Sequence, residues 1–301
     1  MSGWEILIRM SESILITGAS GFLGFNSALA LASEPWTDNI YCLVRLDSLL
    51  PGTLSHPKIK ILFGDLKSAE IPFNNGIVLH CAAVRNSSSP ILWETNVDNT
   101  ARLARQAAAH NCRFIYASSQ SVYGNPRKTP VDEYADTQPF DEYGRSKLAG
   151  EHAVRDAYQG SPSNWIALRL SRLYGRASIS RYEGALGTFL KAAMEGRKVT
   201  ISGTGSFTMD LLHIRDACEA VKSACKESRR LNGAYNIGSS IPVTILDLVT
   251  ALKGLYPDFE WEFDNLQSER SGLWLDISRF QNAVGWSPIE KLKDNLTDAL
   301  D

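Results

Sequence analysis

The chain has 301 residues, enough for a substantial apolar core, with a formal net charge of -2 and 21% charged residues. A balance so close to neutral leaves no basic footprint for nucleic acid or an anionic membrane, so a small-molecule partner is expected. Five scattered cysteines, Cys42, Cys81, Cys112, Cys218 and Cys225, contain no C-x-x-C pair, which sets aside a disulfide framework and a zinc site and suits a reducing cytoplasm.

No secretory signal is visible, and residues 1–9 read as a short extension before Met10. The apolar run Ser13-Ile14-Leu15-Ile16-Thr17 suits a buried parallel strand, and Phe22 begins an amphipathic helix reaching about Ala32. This segment is nearly long enough for a membrane span, but Thr17, Ser20, Asn26 and the glycines interrupt it. Gly18, Gly21 and Gly24 are spaced G-x-x-G-x-x-G. A helix entered from a strand through such a turn leaves its first N–H groups facing outward, where they and the helix dipole favour a diphosphate. Gly18 allows the tight turn, Gly21 the close approach of backbone to phosphate, and Gly24 the packing of helix on strand. An ordinary strand-to-helix turn is the alternative. The flanking strand and helix favour dinucleotide binding, with Ser20, Phe22 and Leu23 in the same turn.

Ile40 to Val44 reads as a second strand with Arg45 at its carboxyl end, 27 residues after Gly18. An acid there accepts from the adenosine ribose 2′-hydroxyl, whereas an Arg pairs with a 2′-phosphate, so Arg45 favours NADP(H) over NAD(H). Asp47, two positions on, is still able to reach the ribose. Lys58 to Phe63 makes a third strand ending in Gly64-Asp65-Leu66, where Asp65 either accepts from the adenine amino group or caps a turn. Gly76 to His80 makes a fourth strand, running into Cys81-Ala82-Ala83, small residues that let a ligand approach the backbone. His80 itself reads as a packed residue. Leu92 to Ala109 is the longest helical pattern in this half, with Asn96 near its start, and Arg113 to Ala117 is a fifth strand delivering Ser118 and Ser119 to the same edge. This alternation predicts an α/β fold with a doubly wound, mostly parallel sheet.

Tyr143-Gly144-Arg145-Ser146-Lys147 opens a helix, and a Tyr and a Lys four apart lie on one face. A phenol of unperturbed pKa ~10 is a poor base at neutral pH, but a neighbouring ammonium and a cationic nicotinamide favour the phenolate. Tyr143 is then able to take a proton from a substrate hydroxyl while hydride leaves the same carbon, or to run the reverse. Ser119 completes the site by hydrogen-bonding the reacting oxygen. Y-x-x-x-K alone is a weak pattern. Its strength here is order: a glycine turn, a Ser at a strand end, and the pair 24 residues later.

In these features the chain resembles the extended short-chain dehydrogenase/reductases, the NAD(P)-dependent epimerase/dehydratase group. Thr17 to Gly24 matches its cofactor turn, Gly64-Asp65-Leu66 its adenine contact, Asn96-Val97 its N-V helix, and Ser118-Ser119-Gln120-Ser121-Val122-Tyr123-Gly124 its S-S-x-x-V-Y-G strand end. The likeness continues through Leu168-Arg169, Tyr174-Gly175, Asp210 to Asp216, Tyr235 to Gly238 and Val284 to Pro288. It implies Ser119, Tyr143 and Lys147 as catalytic residues, with Asn96 ordering the site. Lys147 also holds the nicotinamide ribose, and Ala82, Ala83, Ser118, Asp65 and Leu66 line the cofactor. It further implies a Rossmann sheet, a sugar-like, nucleotide-activated substrate, and a homodimer through the Leu92–Ala109 and Tyr143–Tyr158 helices.

The chain also departs from the group. Arg172 and Arg176 replace the Asn and Pro of L-R-x-x-N-x-Y-G-P, and Met209 stands where an Arg often meets the substrate diphosphate. Arg172, Arg176 and Arg270 are the candidates to supply that contact. Gln120 and Ser121 replace the acidic pair of 4,6-dehydratases, which disfavours elimination. Residues 1–170 read as the dinucleotide-binding domain and 171–301 as mainly a smaller, interleaved substrate lobe, with 210–240 returning to the main sheet. No metal site is expected. A dinucleotide-binding regulator without catalysis is the competing reading, and it requires an emptied triad.

Overall fold

The computed structural model describes residues 11–48, 53–175, 185–264 and 272–296. The first half alternates β1 (Glu12–Thr17), α1 (Phe22–Ala32), β2 (Thr37–Val44), β3 (Ile59–Phe63), β4 (Ile77–His80), α2 (Ser89–Trp93), α3 (Asn99–Ala109), β5 (Arg113–Ser119), α4 (Glu142–Ala157) and β6 (Trp165–Leu170). The second half contributes β7 (Arg172–Tyr174), α5 (Ala185–Met194), β8 (Val199–Ile201), β9 (Thr208–His213), α6 (Ile214–Lys226), β10 (Gly233–Ile237), β11 (Pro242–Thr244), α7 (Ile245–Leu255), β12 (Trp261–Phe263), α8 (Ser278–Val284) and α9 (Leu292–Asn295).

Seven strands form one sheet in the order β10-β6-β5-β4-β1-β2-β3, and every neighbouring pair in it is parallel. Both faces are covered, which is why β4 and most of β5 are buried from end to end instead of alternating. Successive side chains still point to opposite faces. Ile14 and Ile16 of β1 join Phe25, Ala28 and Leu31 of α1 and Val221 of α6, whereas Leu15 joins Leu103 and Ala107 of α3 and Val154 of α4. A third core gathers Leu190, Val199, Leu248, Leu252 and Phe259 in the second half of the chain.

Of residues 210–240, β10 hydrogen-bonds into the main sheet and α6 packs on α1, but β9 belongs to a separate three-stranded sheet, β11-β9-β7. The helix predicted over Leu92–Ala109 is also interrupted. Between α2 and α3 a π turn, Glu94–Asp98, inserts one extra residue per turn and directs Asn96 into the interior. Apolar periodicity does not register that insertion, because the helix on either side keeps its own phase.

Behind the carboxyl ends of β5 and β6 lies a buried polar network. Arg169 donates to both carboxylate oxygens of Glu151, with Nη2 to Oε2 at 2.8 Å, and Ser118 donates to Oε1 at 2.5 Å. The third guanidinium nitrogen, Nη1, donates to the Tyr123 hydroxyl at 3.0 Å, which donates in turn to Asn236 at 2.7 Å. The network thus joins α4, β5, β6 and β10. Removing one partner strands the other charge in a low-dielectric interior. Glu151→Ala is expected to destabilise the protein by about 3–5 kcal/mol, read as a lowered urea midpoint, and Glu151→Gln by less.

Candidate active site

The strand order reverses between β1 and β4, so their carboxyl ends open a crevice where open α/β sheets take ligands. The two ends are stitched together: Cys81 N donates to the Thr17 carbonyl at 3.2 Å and Ala82 N to Thr17 Oγ1 at 3.3 Å. Gly18 has φ +66°, and a Cβ there would lie 2.6 Å from Ala82 N, so no other residue fits. Gly21 is the N-cap of α1, with no side chain capping it and no acid in the first turn. The positive end of α1 therefore keeps its pull for an anion, and this cradle fits the diphosphate of a dinucleotide.

Two cofactor candidates stand farther along the same edge. Arg45 follows β2, is exposed, and pairs with Asp47 at 3.4 Å. Asp65 accepts from Ser68 N and Ser68 Oγ, both at 3.0 Å, so its carboxylate caps its own turn and sits below the usual range for that reason. His80 is packed as expected: Nδ1 meets Thr17 Oγ1 at 2.7 Å and Nε2 meets Thr100 Oγ1 at 2.9 Å, and burial pushes its pKa down to about 3.

Asp141 caps α4 by accepting from Gly144 N at 2.7 Å, and Gly144 lies so close to the turn after β5 that a Cβ would come within 2.6 Å of the Ser121 carbonyl. That approach sets Tyr143 near the tip of β5, where it lines one cavity with Ser119. Ser119 Oγ contacts Ser121 Oγ at 3.1 Å. Asn96 accepts from Val84 N at 2.9 Å and donates to the Val84 carbonyl at 2.8 Å and to Ser146 Oγ at 3.0 Å, and Ser146 donates to the Tyr143 carbonyl at 2.8 Å. Asn96 therefore ties the loop after β4 to the start of α4.

Tyr143, Lys147 and Glu151 follow one another at four-residue spacing along α4. Their electrostatics differ from the expectation that the lysine lowers the tyrosine. Burial pushes the Tyr143 phenol up, and the cation opposing it is Arg85, whose guanidinium lies 5.0 Å from the ring centroid. Lys147 instead places Nζ 4.4 Å from the Tyr116 ring centroid. It is 2% exposed, and burial pulls its pKa down to about 8.

A cavity of about 460 Å³ joins these groups. Leu23, Cys81, Ala83, Arg85, Ser118, Ser119, Tyr143 and Lys147 line it from the main sheet, and Arg172, Phe207, Met209 and Leu273 from the second half. Arg172 thus reaches the cavity, whereas Arg176 and Arg270 lie outside the described residues. Arg85 and Asp141 are lining residues that the sequence motifs do not single out. Asp141 had a legible sign, an acid three residues before Gly144 at a helix start, but Arg85 had none beyond its place in a loop after β4.

A sequence model of the NAD dependent epimerase/dehydratase family matches residues 14–238. A putative UDP-glucose 4-epimerase of Methanocaldococcus jannaschii is 27% identical, covering 94% of this chain and 95% of its own. Among solved structures, MoeE5 in complex with UDP-glucose and NAD superposes with a TM-score of 0.81 at 24% identity, over 96% of this chain and 97% of its own. A UDP-N-acetylglucosamine 4-epimerase from Methanobrevibacter ruminantium, in complex with UDP-N-acetylmuramic acid, gives 0.85 at 20% identity over the same shares.

The buried ammonium has a thermodynamic signature. Its folded pKa, about 8, lies below the ordinary 10.5, so between these values the unfolded chain binds more protons and stability rises with pH. Below about pH 8 the full desolvation cost is present. Lys147→Met is therefore expected to be more stable than the parent at pH 7, by on the order of 3 kcal/mol, and the gain should shrink toward pH 10.5. Denaturant midpoints measured across that range test it.

Proposed function

Because the chain belongs to the NAD dependent epimerase/dehydratase family, we propose that it interconverts or reduces a secondary alcohol or ketone of a nucleotide-linked sugar, with Ser119, Tyr143 and Lys147 as the catalytic residues. It is an NAD(P)-dependent enzyme of the extended short-chain dehydrogenase/reductase type. The observation that carries the substrate assignment is the convergence of Ser119, Tyr143 and Lys147 on one cavity, which Leu23 of the glycine turn and Ala83 of the crevice also line. When bound, the nicotinamide supplies hydride exchange with the sugar carbon. Gly18, Ser20, Gly21, Phe22, Leu23 and Gly24 would hold the diphosphate, with Ala82, Ala83, Ser118, Asp65 and Leu66 along the rest of the dinucleotide.

Tyr143 moves the proton. Its phenolate oxygen accepts the substrate hydroxyl proton, or in reverse its hydroxyl returns one, while Ser119 donates to the same sugar oxygen and fixes its distance. Lys147, cationic at neutral pH, holds the nicotinamide ribose and adds positive charge beneath the reacting atoms. Asn96 positions the start of α4, and Arg172 meets the substrate diphosphate together with Arg176 and Arg270. Gln120 and Ser121 offer no acid for elimination, which favours epimerisation or reduction over dehydration. A non-catalytic regulator would need an emptied triad, and all three members are present.

For the cofactor, Arg45 at the end of β2 favours NADP(H). Asp47 in its ion pair keeps a carboxylate within reach of a ribose hydroxyl, and the solved relative described above carries NAD. We further assign residues 1–170 to dinucleotide binding and 171–301 mainly to the substrate, in a cytoplasmic homodimer through the Leu92–Ala109 and Tyr143–Tyr158 segments.

Tyr143→Phe is expected to lower turnover of UDP-sugars by about 10²–10⁴-fold and to leave dinucleotide affinity within a fewfold, measured by coupled assay and fluorescence titration. Unchanged turnover would exclude the mechanism. Arg45→Asp is expected to weaken NADPH relative to NADH by roughly tenfold. A parent that binds both equally would contradict the cofactor preference.

A further inference from the structure

Arg85 takes no part in the mechanism above, yet its guanidinium lies over the face of the very tyrosine that handles the reacting hydroxyl. It is exposed to the cavity, and among the described residues no carboxylate is ion-paired with it. The loop that carries it is held: Asn96 grips both the N–H and the carbonyl of Val84, the preceding residue. Among the described lining residues Arg85, Lys147 and Arg172 are cationic and Asp141 is the carboxylate, whose Oδ1 is occupied by the Gly144 N–H. Arg85 and Lys147 thus put positive charge at the reacting end of the cavity, and Arg85 presents it on a fork suited to two oxygens.

We propose that Arg85 binds a carboxylate carried by the sugar ring itself, so that the substrate is an acidic nucleotide sugar of the uronic type. This rests on the nucleotide-sugar reading above. The place of Arg85 decides between the two anions such a substrate carries. A group that touches the face of Tyr143 stands within about one sugar ring of the carbon that Tyr143 serves, whereas the diphosphate hangs from the anomeric carbon and is assigned to Arg172 from the other wall. Arg85 resting on the phenol ring is then the resting arrangement, and a bidentate pair with the substrate replaces a weak cation–π contact.

Binding to the Tyr143→Phe protein, loaded with whichever of NADP and NAD it holds more tightly, tests this without turnover. Calorimetric titration should give UDP-glucuronic acid an affinity at least about tenfold above that of UDP-glucose. Adding Arg85→Met should reduce that ratio by about tenfold, and Arg85→Lys should restore part of it. Equal affinities, or a ratio that Arg85→Met leaves unchanged, would overturn the proposal. So would an Arg85→Met loss of the same size for UDP alone, which would assign Arg85 to the diphosphate. The parent protein separates the two levels: if it binds the acidic sugar with the expected ratio but turns over neither compound, the catalytic reading fails and the assignment of Arg85 stands.

Discussion

Glu151 fixes where α4 lies on the sheet. It lies two turns along α4 from Tyr143, and its carboxylate is divided between Arg169 on β6 and Ser118 on β5. A helix pinned at that depth has little freedom to slide along the sheet, so the tyrosine at its outer end arrives opposite Ser119 rather than a residue to either side. The ion pair need not add net stability to have this effect, since a buried pair often breaks even against its desolvation. Its contribution is register. The N-terminal end of the same helix is fixed independently by the Asp141 cap and the Gly144 contact, and the two anchors bracket the pair of residues between them.

Charge at this site is arranged against burial. Lys147 is held cationic in a nearly dry position by the Tyr116 ring and by Glu151 and Cys81 nearby, but these do not offset its desolvation fully. The Tyr143 phenol is likewise raised, with Arg85 opposing and Asp141 adding to the rise. Neither group alone is tuned to neutral pH. A cationic nicotinamide brought beside them would favour the phenolate, which couples proton transfer to occupancy of the crevice.

Much of this was readable in the residues. The strand, glycine turn and helix at 13–32, the parallel strands to Ser119 and the one-face relation of Tyr143 and Lys147 all follow from local periodicity, and they occur where expected. Three features did not. The π turn at Asn96 leaves the apolar phase of the flanking helices intact, so nothing in the pattern marks it. The split of 210–240 between two sheets depends on pairing partners far away in the chain, with β9 meeting β7 and β11 while β10 meets β6. Arg85 has no motif at all, because its place over Tyr143 is made by the meeting of the loop after β4 with the first turn of α4 and not by spacing. Local chemistry was legible, and nonlocal approach was not.

The π turn also constrains how this chain is able to change. Asn96 grips Val84 and Ser146 from a helix that holds one residue more than a regular helix would. Deleting Thr95 or Val97 would relax the helix to ordinary geometry, and in doing so would rotate the asparagine relative to one flanking helix by about a quarter turn, away from its partners. Repair of the backbone and retention of the tether are thus mutually exclusive, and length in this short interval is as much a part of the protein's inheritance as the identity of the side chain it presents.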